Sequence, residues 1–219
     1  MEQNEFQVNE RKSSVMIFNF SKKYDFHPGF RVGEGSEELN IVKSTKVLGI
    51  QLNESLRWQD HIDYICNKAS SRIWALRRLM QLGLEYETIL DVYYKEIRSI
   101  LEYGAVIFHS SLTKRQAKTV ENVQKLVLRM VSHYIGTKFS YSEATIFFCT
   151  EQLDSRREEL CKTFVRRNRK NPRFTSMFEQ VKHTHNVRPN TRKIQENQAR
   201  TKRYYSSPLV SLRRLAYRI

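Results

Sequence analysis

Glycine and proline are scarce, at seven and four in 219 residues. So few reversal points argue against a sandwich or barrel, which need frequent turns, and favour long helices. Cysteine is scarcer still. Cys66, Cys149 and Cys161 are widely spaced, odd in number and form no C-x-x-C pair, so neither a disulfide framework nor a zinc ribbon is indicated. His183 and His185 alternate without a cysteine pair to complete a ligand set, and read as solvated loop histidines. No metal site is expected. No apolar run approaches ~18 residues, so no membrane span or membrane partner is expected. The polar start, Met1-Glu2-Gln3-Asn4-Glu5, is unlike a signal or transit peptide. An intracellular protein, nuclear or cytoplasmic and not secreted, is the expectation.

What is present is basic charge, unevenly spread. Residues 155–219 carry 18 Lys/Arg against 4 Glu, whereas residues 1–154 carry 20 basic against 19 acidic side chains. The net charge of +15 therefore belongs almost wholly to one end. A segment of one sign concentrates potential and attracts a polyanion, most commonly nucleic acid. Solvated charge without a ligand is the alternative. Eleven Tyr and twelve Phe supply large apolar surfaces for a core; they serve equally as stacking surfaces for bases.

The hydrophobic period divides the chain. Residues 13–20 (SSVMIFNF) fit a short strand, His27-Pro28-Gly29 is a turn, and residues 31–32 and 39–42 flank Gly33-Glu34-Gly35 as further short strands. Residues 46–52 (KVLGIQL) alternate around Gly49, as a strand with a close backbone approach would. From Trp58 the period becomes helical. Trp58, Ile62, Ile65, Ala69, Ile73, Leu76 and Met80 mark one helix of about six turns, with Asn53 or Ser55 at its entry and Gly83 at its end. A second is expected over residues 86–108, with Gly104 on its face, and a third from an N-cap at Thr113 to about Val131. A shorter helix follows over residues 142–148. The last long one starts at Asp154, read as its cap, and is stopped by Asn171-Pro172. After Phe178 the pattern dissolves; Leu209, Leu212 and Leu215 hint at a terminal helix on a loosely attached tail.

The expected fold class is α+β, mainly α. A small antiparallel β element (residues 1–52) precedes a helical bundle (53–181) and a basic, partly irregular tail (182–219).

No self-sufficient active site is visible. Nucleotidyl transfer needs two carboxylates converging on metal ions, and the chain contains no Asp-Asp pair. Asp60 and Asp63 can share a helix face, but their place at a helix start suits the helix dipole and solvent. Gly33-x-Gly35 lacks the lysine of a phosphate loop.

Several strings, in order, resemble the distal part of a non-LTR (LINE-type) retrotransposon reverse transcriptase. Phe6-x-Val8-Asn9-x-x-Lys12-Ser13, leading into Val15-Met16-Ile17-Phe18, resembles the strand after the family's catalytic aspartates. Lys46-Val47-Leu48-Gly49-Ile50 is similar to its primer-grip hairpin. Leu56-x-Trp58-x-x-His61-Ile62, Lys68-Ala69 and Leu76-Arg77-Arg78-Leu79 resemble the first thumb helix. Tyr93-Tyr94-x-x-Ile97-Arg98-Ser99-Ile100-Leu101-Glu102-Tyr103-Gly104 resembles the second, and Gln124-Lys125 with Arg129-Met130-Val131 the third. Beyond them, Arg156-Arg157-x-x-Leu160-Cys161, Asn171-Pro172-x-Phe174, Met177-Phe178 and Thr201-x-Arg203-Tyr204-x-x-Ser207-Pro208-Leu209 resemble the segments that close the family's chain.

The resemblance implies the edge of the palm, the thumb and the tail of an RNA-directed DNA polymerase, without the Tyr-x-Asp-Asp loop. The expected fragment makes no DNA alone and retains non-specific nucleic-acid binding. It implies no cofactor, with magnesium entering only through a catalytic palm. RNA or DNA, held through phosphates, and the palm and fingers of the parent enzyme are the implied partners. A helical protein-interaction module or a non-functional retroelement relic are the alternatives.

Lys12 matches a family lysine near the incoming nucleotide, a proton donor to pyrophosphate. Without the aspartates it reads instead as a strand-edge lysine that deters edge pairing. Leu48, Gly49 and Ile50 are the primer-grip-like residues. Arg72, Arg77 and Arg78 sit on the polar side of the first helix, either toward phosphates or solvated. Arg166, Arg167, Arg169, Lys170 and Arg173 place five cations within eight residues, suited to backbone phosphates. Lys202 and Arg203 interleave with Tyr204 and Tyr205, which either stack on bases or dock the tail onto the bundle.

Overall fold

The computed structural model describes residue 9 and residues 12–18, 29–31, 38–174 and 201–218, without the side chains of residues 203, 217 and 218. The expected features at His27-Pro28, Gly33-Glu34-Gly35, Met177-Phe178, His183, His185 and Pro189 lie outside the described residues. The chain forms two compact units, Met1–Tyr64 and Ile65–Ile219.

The first unit carries the strands. β1 (Ser14–Val15) pairs with β2 (Asn40–Ile41), and β3 (Ser44–Val47) with β4 (Ile50–Asn53). The second pair is an antiparallel hairpin, in register from Ser44 opposite Asn53 to Val47 opposite Ile50. The first pair is parallel and two residues long, so the β element is not wholly antiparallel. Residues 46–52, expected as one strand, are folded back at Leu48-Gly49, where φ is +47° and +85°. Two positive φ values in a two-residue loop match the right-handed twist of a hairpin. Glycine takes that geometry freely; Leu48 does so at a cost of about 1–2 kcal/mol.

α1 (Gln59–Ser70) begins in this unit and runs into the second, which is otherwise helical. Trp58, Ile62, Ile65, Ala69, Ile73 and Leu76 are all buried, as the periodicity predicts. They belong to two helices rather than one, however: α1 ends at Ser70 and α2 spans Ile73–Gln81. Ser71 Oγ donates to the Lys68 carbonyl (2.9 Å), and Arg72 N turns back to Ala69 O (3.1 Å). Serine side chains compete with the helical ladder in this way. Gly83 follows α2 at φ +75°.

α3 (Tyr86–Val92), a π-helical turn (Tyr93–Arg98) and α4 (Ser99–Glu102) follow one another without a break. Ile89, Tyr93, Ile97 and Leu101 are fully buried at successive steps of four. Four-residue steps drift around an ordinary helix of 3.6 residues per turn. The wider π turn offsets that drift and keeps the four side chains in line. The expected continuation to Phe108 does not occur. Gly104 adopts φ +69°, and α5 (Ala105–Phe108) starts afresh.

α6 (Lys114–Tyr134) is capped by Thr113 in a reciprocal box with Gln116, as its sequence predicts. Val120, Val123, Val127, Leu128 and Val131 are buried along it. α7 (Tyr141–Phe147) has a similar box, Ser140 with Glu143.

α8 (Leu153–Asn168) departs from expectation at its start. Asp154 lies inside the first turn. The donors Leu153 N and Asp154 N are met instead by the Glu121 carboxylate of α6, at 3.1 and 3.3 Å. A cap supplied across the bundle satisfies the same orphan N–H groups and faces the positive end of the dipole.

The described end of the tail is docked rather than loose. After the turn α9 (Lys202–Tyr205), α10 (Pro208–Arg218) lies against α8. Leu212 and Ala216 form one buried cluster with Cys161 and Val165, flanked by Val106, Phe164 and Leu215. Each fully buried aliphatic side chain contributes about 1.5–3 kcal/mol, enough to order a helix that is short and basic.

Candidate nucleic-acid interface

The sharpest group of cations stands at the end of α8. This helix buries Leu153, Arg157, Cys161 and Val165 on one face. Its closing residues are therefore left outward, where the negative end of the dipole favours cations. Arg166 donates to Glu159 (2.7 Å). Arg167, Arg169, Lys170 and Arg173 are exposed, and among the described residues none has an acidic partner. The chain then tightens into a 3-10 turn, Pro172–Phe174. Arg173 N donates to Asn171 Oδ1 (3.1 Å), and the Phe174 ring meets Phe164 edge-on at 5.5 Å. This anchor fixes Arg173 relative to the helix end. The five cations expected from sequence thus lie at one helix end, four of them without an acidic partner among the described residues.

The tail tyrosines separate. Arg214 lies 3.3 Å above the Tyr205 ring and donates to the Tyr205 carbonyl (2.8 Å), so Tyr205 is engaged within the tail. Both rings are nevertheless exposed, Tyr204 at 43 % and Tyr205 at 52 %, with Lys202 exposed beside them. Arg203 lies in the same turn, and its side chain is outside the description.

The remaining candidates are scattered. Arg72 lies in the break before α2, half-buried and ion-paired to Glu96, rather than on a polar helix face. Arg77 and Arg78 are exposed on α2, and Arg78 donates to Gln81 (3.0 Å). In the first unit, Lys12 is exposed and its amide donates to Asn9 O (3.1 Å). Leu48 is 86 % exposed at the hairpin tip, whereas Ile50 beside it is buried. Lys46 of the hairpin donates to Tyr64 (2.6 Å). Asp60 accepts from Asn53 and Asp63 from Gln59, both at 2.8 Å.

A buried polar network organises the second unit, and sequence periodicity gives little sign of it. Gln124 is fully buried on α6. Its carbonyl accepts from Tyr93 (2.6 Å), and its amide donates to the Tyr141 hydroxyl and the Glu151 carbonyl, both at 2.9 Å. Tyr141 in turn donates to Glu121. Burial raises the pKa of Tyr93; burial, then Glu121, raises that of Tyr141. Both phenols therefore stay protonated and act as donors. One residue along, Tyr94 shares a hydrogen bond with Thr150 (2.5 Å). Thus the π turn sends two consecutive tyrosines into hydrogen bonds with different parts of the bundle. The string Tyr93-Tyr94, noted for its family resemblance, is a structural joint.

Sequence reasoning also passed over Lys125 and Arg129 as site residues. Both line a cleft between α6 and α7, together with Asn122, Phe139 and Tyr141. Their signal was legible: they share one face of α6, a helical turn apart.

Comparison with protein-family models, curated proteins and solved structures finds no match to this chain. Among the described residues, no helix is long and apolar enough to cross a membrane.

Proposed function

We propose that the chain is a thumb-like nucleic-acid-binding fragment of a non-LTR reverse transcriptase, catalytically silent by itself. It holds RNA or DNA through the phosphate backbone without reading sequence. The observation that carries this reading is the group Arg167, Arg169, Lys170 and Arg173, exposed and without acidic partners among the described residues, with the Arg173 backbone anchored beside Phe174. Among the described residues, these four cations make no ion pair, and at the end of α8 they face the negative end of the helix dipole. Their spacing suits successive phosphates, which give affinity without specificity. The order of the family-like strings supports the same reading, as does the absence of an Asp-Asp pair that could hold catalytic metals.

The test is quantitative. Replacing Arg166, Arg167, Arg169 and Lys170 together with Gln should weaken binding to a labelled single-stranded oligonucleotide by more than tenfold. The thermal midpoint should stay within a few degrees. Unchanged affinity would remove the reading, and so would template-dependent product from the chain alone in a primer-extension assay with magnesium.

A second reading, a helical protein-interaction module, rests on exposed apolar side chains, Trp74 at 63 % and Ile146 at 77 %. A monodisperse complex with a protein and no retained nucleic acid would favour it.

A further inference from the structure

The cleft between α6 and α7 has a chemistry of its own. Its volume is about 340 Å³, at the small end of the range of ligand pockets, ~300–1,000 Å³. Asn122, Lys125 and Arg129 reach it from α6 at positions i, i+3 and i+7, one stripe of the helix. Phe139, just ahead of α7, and Tyr141, its first residue, face them. Lys125 is half-buried and Arg129 exposed; neither has an acidic partner among the described residues.

The walls are fixed before any ligand arrives. The Tyr141 hydroxyl is tied to Glu121 and Gln124, which holds its ring in place. Lys125 Nζ stands 4.9 Å from the centre of that ring. A cation–π contact orients the ammonium group and leaves its charge uncancelled. Phe139 is braced by Phe147 and Phe148, with ring centroids 4.8 and 6.2 Å away. The result is a pair of cations beside a rigid aromatic surface, with one amide that both donates and accepts. A simple carboxylate would satisfy the cations and leave the ring unused. An apolar ligand would leave the cations unused.

We propose that this cleft is a nucleotide-binding site that receives one unit of a single strand, its phosphate drawn by Lys125 and Arg129 and its base set against Phe139. Asn122 offers the hydrogen-bonding edge of the base a donor and an acceptor. The choice of a strand as ligand rests on the nucleic-acid reading above; the site for one phosphorylated base does not. Stacking a base on an aromatic ring contributes about 1–3 kcal/mol whatever the sequence, so the cleft fixes the path of a strand without selecting it.

Adenosine monophosphate is the probe. Added to the isotope-labelled full chain, it should shift amide resonances within residues 122–144 and leave residues 166–173 unmoved. Inorganic phosphate should bind at least tenfold more weakly. Lys125→Gln with Arg129→Gln should abolish the shifts. Phe139→Leu, which keeps the apolar contact with α7, should weaken the nucleotide at least fivefold while leaving phosphate unchanged. Shifts that persist in the double variant would overturn the proposal, as would equal affinity for phosphate and nucleotide. The quadruple Gln variant of α8 separates the two readings. Retained mononucleotide binding with lost oligonucleotide binding supports both. Mononucleotide binding by a wild-type chain that ignores oligonucleotides supports the cleft alone, and the reverse supports α8 alone.

Discussion

Gln124 shows how much one residue can organise. It is fully buried and makes three hydrogen bonds, to Tyr93, Tyr141 and the Glu151 carbonyl. Gln124→Leu keeps the volume but strands a tyrosine hydroxyl and a carbonyl, each costing about 1–3 kcal/mol when left unpaired. Denaturant unfolding should show a loss of about 3 kcal/mol, far more than replacing an exposed side chain of the same helix such as Lys118 would cost. Histidine sets a second residue-scale expectation. Burial lowers the pKa of His61 from the ordinary 6.5, and its Nδ1 accepts from Gln51 N (3.3 Å). Burial, then the Arg157 charge, lowers that of His109. The unfolded chain therefore binds protons that the folded chain resists. Their contribution to stability is complete above about pH 6.5 and is lost as pH falls below it. Urea midpoints at pH 7.5 and 5.5 should differ in that direction, and His61→Asn with His109→Asn should narrow the gap.

Among the elements, the hairpin and the helix joints teach most. Leu48 pays for a left-handed backbone at a tip where its side chain is 86 % exposed. Leu48→Asn should stabilise the chain by up to about 1 kcal/mol, since Asn visits this region more readily. If the hairpin grips nucleic acid, the same variant should bind less tightly, and a titration beside the melt would reveal that exchange. The hairpin also marks where the sequence stopped being legible. Leu48-Gly49 lacks the Asn or Asp that announces such a turn, so the alternation of residues 46–52 reads as a single strand. The helical stripes were legible because burial imposes its period directly, as Ile62 to Leu76 and Val120 to Val131 demonstrate. The breaks inside those stripes were not. Ser71 ends α1 through a side-chain hydrogen bond that no periodicity records, and Glu121 caps α8 from another helix. In the candidate site the cations of α8 were visible as a run of charge. That Arg166 pairs with Glu159 while the other four have no acidic partner among the described residues, and that Arg173 is anchored through Phe174 and Phe164, needed the folded chain.

For the whole molecule, the uneven charge acquires a structure. Part of the basic end is folded: α10 docks on α8 through Leu212, Ala216, Cys161 and Val165, and Arg214 stacks on the Tyr205 ring. Among the described residues of that end, the cation group at the close of α8 stands open to a polyanion, with Lys202, Tyr204 and Tyr205 exposed in the last segment. The most direct measurement is oligonucleotide affinity across salt concentrations, for the wild type and the Arg166, Arg167, Arg169 and Lys170 Gln variant. With about four phosphates engaged, the logarithm of wild-type affinity should fall against that of salt with a slope near −3 on a single strand. That predicts a loss of roughly two decades from 50 to 200 mM, with most of the slope gone in the variant. Affinity indifferent to salt, or a variant with the wild-type slope, would contradict the account.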